Sequence, residues 1–152
     1  MRTLFVVAGL LAIGLTAAPV CASSFDNKPP DQQTIDALEA RASQAQPREQ
    51  CFIYAEIVHQ MTELSLKQYQ SGNVDGATSL LKKIQAVAQK IHLSLANNDK
   101  RLKNAEILLS HTAFRLNEML HASDYDDRPL VEQTLAQVNH AQNEAMLQVF
   151  DK

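Results

Sequence analysis

Two Glu-x-x-His pairs are the residues of this sequence best suited to chemistry: Glu56 with His59, and Glu118 with His121. On a helix this spacing places a carboxylate and an imidazole on one face, and di-iron helical bundles use such pairs as metal ligands. Helical periodicity puts both pairs away from the apolar stripes, and the third predicted helix contains no Glu to complete a di-iron set. We therefore expect these four side chains to face solvent. The alternative hypothesis is a metal- or small-ligand-binding bundle that uses them.

A cysteine and a histidine are the remaining candidates for catalysis. Cys51 is the one cysteine left once a leader containing Cys21 is removed, so no intrachain disulfide can form. It is expected to pack as a small apolar residue, the alternatives being a reactive thiol and an intermolecular disulfide in a homodimer. His111 is interpreted as a buried, hydrogen-bonded residue or an interface residue, because no nucleophile or orienting carboxylate can be assigned to it. No catalytic residue and no cofactor is predicted.

Charged clusters in the sequence have structural explanations. Carboxylates near the start of the last helix lack the glycine and the spacing of an EF-hand, and they suit a helix N-terminus: Asp124, Asp126, Asp127 and Glu132. The basic residues concentrate at Lys82, Lys83, Lys90 and Lys100 to Lys103, where a solvated face is expected. A formal net charge of −3 and the absence of Trp argue against nucleic-acid binding.

The first residues have the pattern of a secretory leader. A positively charged start is followed by an apolar run and then by small residues, which predicts a signal peptide over 1–22, cleaved after Ala22. The apolar run is shorter than the roughly 20 residues that span a bilayer. The protein is thus predicted to be exported to the periplasm or exterior, with no transmembrane anchor after cleavage. A lipoprotein anchored through Cys21 is the alternative.

The rest of the chain is predicted to be helical throughout. Residues 23–30 read as a flexible lead-in, and 31–152 as a single domain. Helices are predicted over about 31–46, 48–71 and 75–96, from the Asn97–Asp99 turn to 121, and from the 124–129 turn onwards. Leu102, Leu109 and Leu116 mark the core stripe of the fourth helix. Ile107 and Phe114 lie off that stripe, which predicts packing on two sides.

Short connections between long amphipathic helices favour antiparallel neighbours. The sequence Ala-Glu-Ile recurs at 55–57 and 105–107, and Thr62 and Thr112 follow at the same offset. The fold is therefore predicted to be all-α: an antiparallel helical bundle of four long helices, built as two αα-hairpins, plus a shorter N-terminal helix. The stretch from Tyr69 to Ala77 is similar to the bend of a tetratricopeptide hairpin, although the other signature positions of that family do not follow.

These features together favour an exported helical module with a binding or scaffolding role and no enzymatic activity. Its partner is predicted to be another protein or a component of the cell envelope, and a homodimer is a further option. The prediction follows by elimination. The sequence has long amphipathic helices, and no phosphate loop, catalytic triad or inward-facing set of metal ligands is evident in it.

Overall fold

The computed structural model describes residues 29–96 and 101–150, and it contains five helices and no strand in these ranges. They are α1 (Gln32–Gln44), α2 (Pro47–Gln70), α3 (Val74–Leu95), α4 (Leu102–Ala122) and α5 (Arg128–Phe150). The prediction of an all-α chain is thereby confirmed. The predicted leader over 1–22, most of the lead-in, the Asn97–Asp99 turn and Lys100 lie outside the described residues.

The sequence signals for helix ends have clear structural counterparts. Asp31 caps α1, since its carboxylate accepts a hydrogen bond of 2.7 Å from the Thr34 backbone N–H. Pro47 opens α2, where its missing N–H costs nothing. Between α2 and α3, Gly72 has a φ of +83°, a left-handed conformation that side chains disfavour. Asn73 then caps α3 by accepting from the Gly76 N–H.

Consecutive long helices pair as antiparallel hairpins. In the first hairpin, the Ser65 hydroxyl near the end of α2 donates to the Ala77 carbonyl near the start of α3. In the second hairpin, the Gln142 amide late in α5 donates to Glu106 early in α4. The short helix α1 packs on α2 and buries Ile35.

The two hairpins pack side by side in the same orientation. α2 contacts α4 and α3 contacts α5. Both of these pairs run parallel, because contacts later in one helix meet later residues of the other: His59 with Thr112 and then Glu63 with Arg115, and Gln85 with Thr134 and then His92 with Glu144. The predicted antiparallel arrangement therefore applies within each hairpin and not between hairpins. Because α3 is antiparallel to α2 and parallel to α5, and α5 is antiparallel to α4, α2 and α4 must run in the same direction. The sequence did not indicate that they would be neighbours.

The core lies between the hairpins and along each of them. Leu109 and Leu116 are fully buried, as their stripe predicts. The prediction that α4 packs on two sides through Ile107 and Phe114 is wrong for the described chain, because these side chains are 43% and 63% exposed. The reason is that α2 and α5 both lie on the leucine side of α4, and no described helix covers the opposite side.

Candidate functional site

The first Glu-x-x-His pair lies midway along α2, with Glu56 directed towards α1 and His59 towards α4. Glu56 is half-buried and forms an ion pair of 3.3 Å with Arg41 of α1. Burial raises the pKa of Glu56, and the positive charges of Arg41 and Arg101 partly offset that rise. His59 is also half-buried and faces α4, where its Nδ1 lies 3.1 Å from the Thr112 hydroxyl. The expectation that this pair faces solvent is therefore wrong, because α1 and α4 pack against its side of α2.

The hydroxyl proton of Thr112 determines which ring nitrogen of His59 carries hydrogen. Thr112 Oγ1 donates to the Leu108 carbonyl at 2.8 Å, which uses its single proton. His59 Nδ1 must therefore be the donor to Thr112. Burial lowers the pKa of His59, so the neutral imidazole is favoured in the folded protein.

The second Glu-x-x-His pair lies on the outer part of α4. Glu118 is exposed and accepts a hydrogen bond from Arg115, whose guanidinium also binds Glu63 of α2 through two hydrogen bonds of 2.6 and 3.1 Å. The hydrogen bonds to Glu63 raise the pKa of Arg115 most, and the hydrogen bond to Glu118 raises it further. His121 is exposed. Among the described residues, Glu56, His59, Glu118 and His121 do not gather into a group of ligand atoms that could share a metal ion.

A different group of side chains does converge. His92 of α3 lies beside Glu144 of α5, with Nδ1 2.8 Å from both carboxylate oxygens. His140, one turn before Glu144, brings Nε2 to 3.5 Å from the same carboxylate. One ligand atom from each of the three residues lies within 4.8 Å of the others. Two imidazoles and a carboxylate form a donor set that suits divalent transition metals.

These three residues line a groove of about 380 Å³ between α3 and α5. The remaining lining residues are small or carry carboxamides: Ala88, Gln89, Gln133, Ala136, Gln137 and Ala141. The side-chain oxygen of Gln137 is buried and accepts no hydrogen bond from the described residues. The groove is thus lined mainly by apolar surface, and its polar groups come from two parallel helices.

The other candidates from the sequence occupy separate places. Cys51 is fully buried in α2. His111 is exposed, so the interpretation of His111 as a buried residue is wrong. Asp124, Asp126 and Glu132 are exposed and Asp127 is half-buried, and none of them belongs to a potential metal-binding group in the described ranges. Part of the basic charge contacts aromatic rings: Arg101 lies 3.6 Å from the centre of the Phe52 ring, and Lys90 lies 5.9 Å from that of Tyr54.

In the described part of the chain, no helix is both long enough and apolar enough to cross a membrane. No protein-family model, curated protein or solved structure matches this chain.

Proposed function

We propose that the chain is an exported, non-enzymatic helical module that binds another protein through the outer side of α4. The observation that carries this proposal is the exposure of Ile107 and Phe114 on the side of α4 opposite the core. These residues are one heptad apart, and seven steps of 100° return to nearly the same direction around a helix. They therefore form one ridge and are not isolated surface residues.

The neighbours of this ridge favour a protein partner. Ser110 and His111 lie between Ile107 and Phe114 along the helix, and both are exposed and have no formal charge when the imidazole is neutral. We call the four residues the α4 outer face. A partner that covers this face removes water from two apolar side chains without burying an unpaired charge, and each of those side chains would contribute about 1–2 kcal/mol.

Exposed apolar residues occur singly on most soluble proteins, but a ridge of an aromatic and a branched aliphatic residue resembles the anchor of a helix-mediated interface. The amphipathic pattern of α4 supports the same conclusion from the sequence side, because it predicts a second packed surface that the five described helices leave uncovered. A partner with an apolar helix or groove would supply that surface.

Site-specific photo-crosslinking tests this proposal in the native host. The photoreactive residue p-benzoylphenylalanine replaces Phe114 or Ile107 in the full chain, with replacement of Lys83, which is exposed on α3, as the matched control. We expect a discrete adduct from the two α4 positions and none from position 83. An adduct of twice the mass of the chain would identify a second copy as the partner.

Phe114→Ser supplies the complementary measurement, as a purified single variant for its melting temperature and combined with the photoreactive residue at position 107 for crosslinking. Because Phe114 is mostly exposed, the variant should keep the melting temperature of the parent chain and should lose the adduct formed from position 107. Absence of adducts at both α4 positions, or the same adducts from position 83, would refute the proposed interface.

A further inference from the structure

We propose that His92, His140 and Glu144 bind one divalent transition-metal ion, with Zn²⁺ as the ion best matched to their donors. This site is independent of the α4 outer face, because its ligands belong to α3 and α5. Neutral imidazole nitrogen and carboxylate oxygen are common ligands of Zn²⁺, and three protein ligands are typical of a site that keeps one position open.

The two distances from the imidazoles to the carboxylate require little adjustment to accommodate an ion, and the ligand atoms of all three residues lie within 4.8 Å of one another. In a tetrahedral zinc site with bonds of about 2.0–2.1 Å, ligand atoms are about 3.3 Å apart. Here His92 Nδ1 is 2.8 Å and His140 Nε2 is 3.5 Å from Glu144 carboxylate oxygens. Each of these distances is within about 0.5 Å of that ideal value.

The side chains have the freedom to make this adjustment. The imidazoles of His92 and His140 are 56% and 70% exposed, so rotation about their side-chain bonds meets few neighbours. Their rings lie 6.1 Å apart between centres and are inclined by 26°. The backbone positions, in contrast, are fixed by two long helices, with His140 and Glu144 one turn apart on α5 and His92 facing them from α3. Because the backbone is already ordered in these helices, the conformational entropy lost on metal binding is limited to that of the three side chains.

The groove beside the three ligands provides room for an additional ligand. Its walls carry three glutamine side chains, and the buried Gln137 oxygen is an acceptor for which the described residues supply no donor. A water molecule bound to the metal is a hydrogen-bond donor of the kind that such an oxygen needs. The geometry therefore favours an open site that binds a water or a small anionic ligand over a closed structural site.

A competition titration of the purified chain with Zn²⁺ and a chromophoric chelator tests this site. We expect one equivalent of bound Zn²⁺. Loss of an outer-shell partner typically weakens metal binding 10–100-fold, so His92→Ala, His140→Ala and Glu144→Gln should each weaken it by about 100-fold or more. Co²⁺ provides a second readout, since His92→Ala should abolish the visible absorption bands of the cobalt-loaded protein.

Three matched variants control for adventitious binding by histidines outside the proposed site: His59→Ala, His111→Ala and His121→Ala. These should leave both the stoichiometry and the affinity unchanged, and the first and third also test the Glu-x-x-His hypothesis. Failure of the parent chain to bind one equivalent at Zn²⁺ concentrations of about 100 μM would overturn the proposed site. Unchanged affinity in a folded variant that combines His92→Ala and Glu144→Gln would overturn it as well.

Discussion

Thr62 and Thr112 occupy equivalent places after the recurring Ala-Glu-Ile segment, yet their hydroxyl groups have different surroundings. Both side chains are fully buried. Thr112 donates to the Leu108 carbonyl and accepts from His59. Thr62 Oγ1 has no hydrogen-bond partner among the described residues. Because a buried polar atom without a partner costs free energy, the two hydroxyls should contribute with opposite signs to stability.

Replacement of each threonine by valine tests this difference. Thr62→Val should leave the free energy of unfolding unchanged or raise it by up to about 1 kcal/mol, because it removes an unsatisfied hydroxyl. Thr112→Val should lower it by about 1–2 kcal/mol, because it leaves the His59 N–H without an acceptor. Urea denaturation of the two variants and the parent chain measures both values. Equal losses in the two variants would contradict the assignment.

At the scale of residues, the sequence analysis did not select the candidate metal site, although part of it has a signal in the sequence. His140 and Glu144 are one helical turn apart on the same predicted helix, so their proximity follows from spacing alone. The position of His92 opposite them could not be predicted, because it depends on the parallel register of α3 and α5. The Glu-x-x-His pairs could be found in the sequence because their residues are close together in it. The group of His92, His140 and Glu144 has no such motif, because His92 is distant from the other two in the sequence.

The contact between α2 and α4 contains the titratable group with the clearest effect on stability. Burial lowers the pKa of His59 below its ordinary value of 6.5, and the charges of His111 and Arg115 act in the same direction. Glu63 partly opposes the shift. The unfolded chain therefore takes up a proton at His59 before the folded protein does. The stabilisation that the neutral imidazole contributes is complete above pH 6.5 and is lost as the pH falls from there through the folded-state pKa.

Thermal unfolding between pH 7.5 and pH 5.5 measures this contribution. We expect the melting temperature to decrease over this range, and His59→Gln to reduce the decrease. His121→Gln is the matched control, since His121 is exposed on the outer part of α4 and its replacement should leave the pH dependence unchanged. Glu56 does not account for the effect, because its raised pKa makes stability fall as the pH rises. An identical pH dependence in the parent chain and in His59→Gln would exclude the proposed role of this imidazole.

The bounds of the individual helices could be predicted closely from local signals. Asp31, Pro47 and the Gly72 turn each act on the backbone within one or two residues, so their effects are visible in the sequence. α2 begins at Pro47 and α3 ends at Leu95, each within one residue of the predicted bound. Which helices become neighbours cannot be predicted from such local signals, because it depends on how the two hairpins pack together.

For the whole molecule, the core is shared by both hairpins, and α4 contributes its most deeply buried leucines. Leu109 and Leu116 have no exposed surface. Leu116→Ala should therefore lower the free energy of unfolding by about 2–5 kcal/mol, because it removes buried methyl groups and leaves a cavity. Leu109→Asp should destabilise the domain more strongly, since an unpaired charge would enter the core.

Leu147→Ala is the matched control for these core substitutions. Leu147 is 60% exposed on α5, so its replacement should change the free energy of unfolding by no more than about 0.5 kcal/mol. Chemical denaturation followed by far-ultraviolet circular dichroism measures all three variants. Similar stability of Leu116→Ala and Leu147→Ala would show that the core has been assigned to the wrong side of the helix.

Helical periodicity identified the apolar side of α4, and Leu109 and Leu116 are the residues that made this possible. Periodicity did not show whether Ile107 and Phe114 would meet another part of the chain. An apolar residue off the main stripe has the same appearance in the sequence whether it is covered by the chain itself or by a separate molecule. The three-dimensional arrangement adds that none of the five described helices covers Ile107 and Phe114.

The polar pairs that link the two hairpins have a consequence for how the protein opens. Thr112 with His59, Glu63 with Arg115, and Gln85 with Thr134 are joined through side chains alone, whereas each hairpin retains its own backbone hydrogen bonds in its helices. High salt weakens the Glu63–Arg115 ion pair and leaves helical backbone hydrogen bonds largely intact. Separation of the hairpins must break these polar contacts and also expose the apolar core that both hairpins share, so that core provides the main resistance to opening while each helix keeps its own backbone hydrogen bonds.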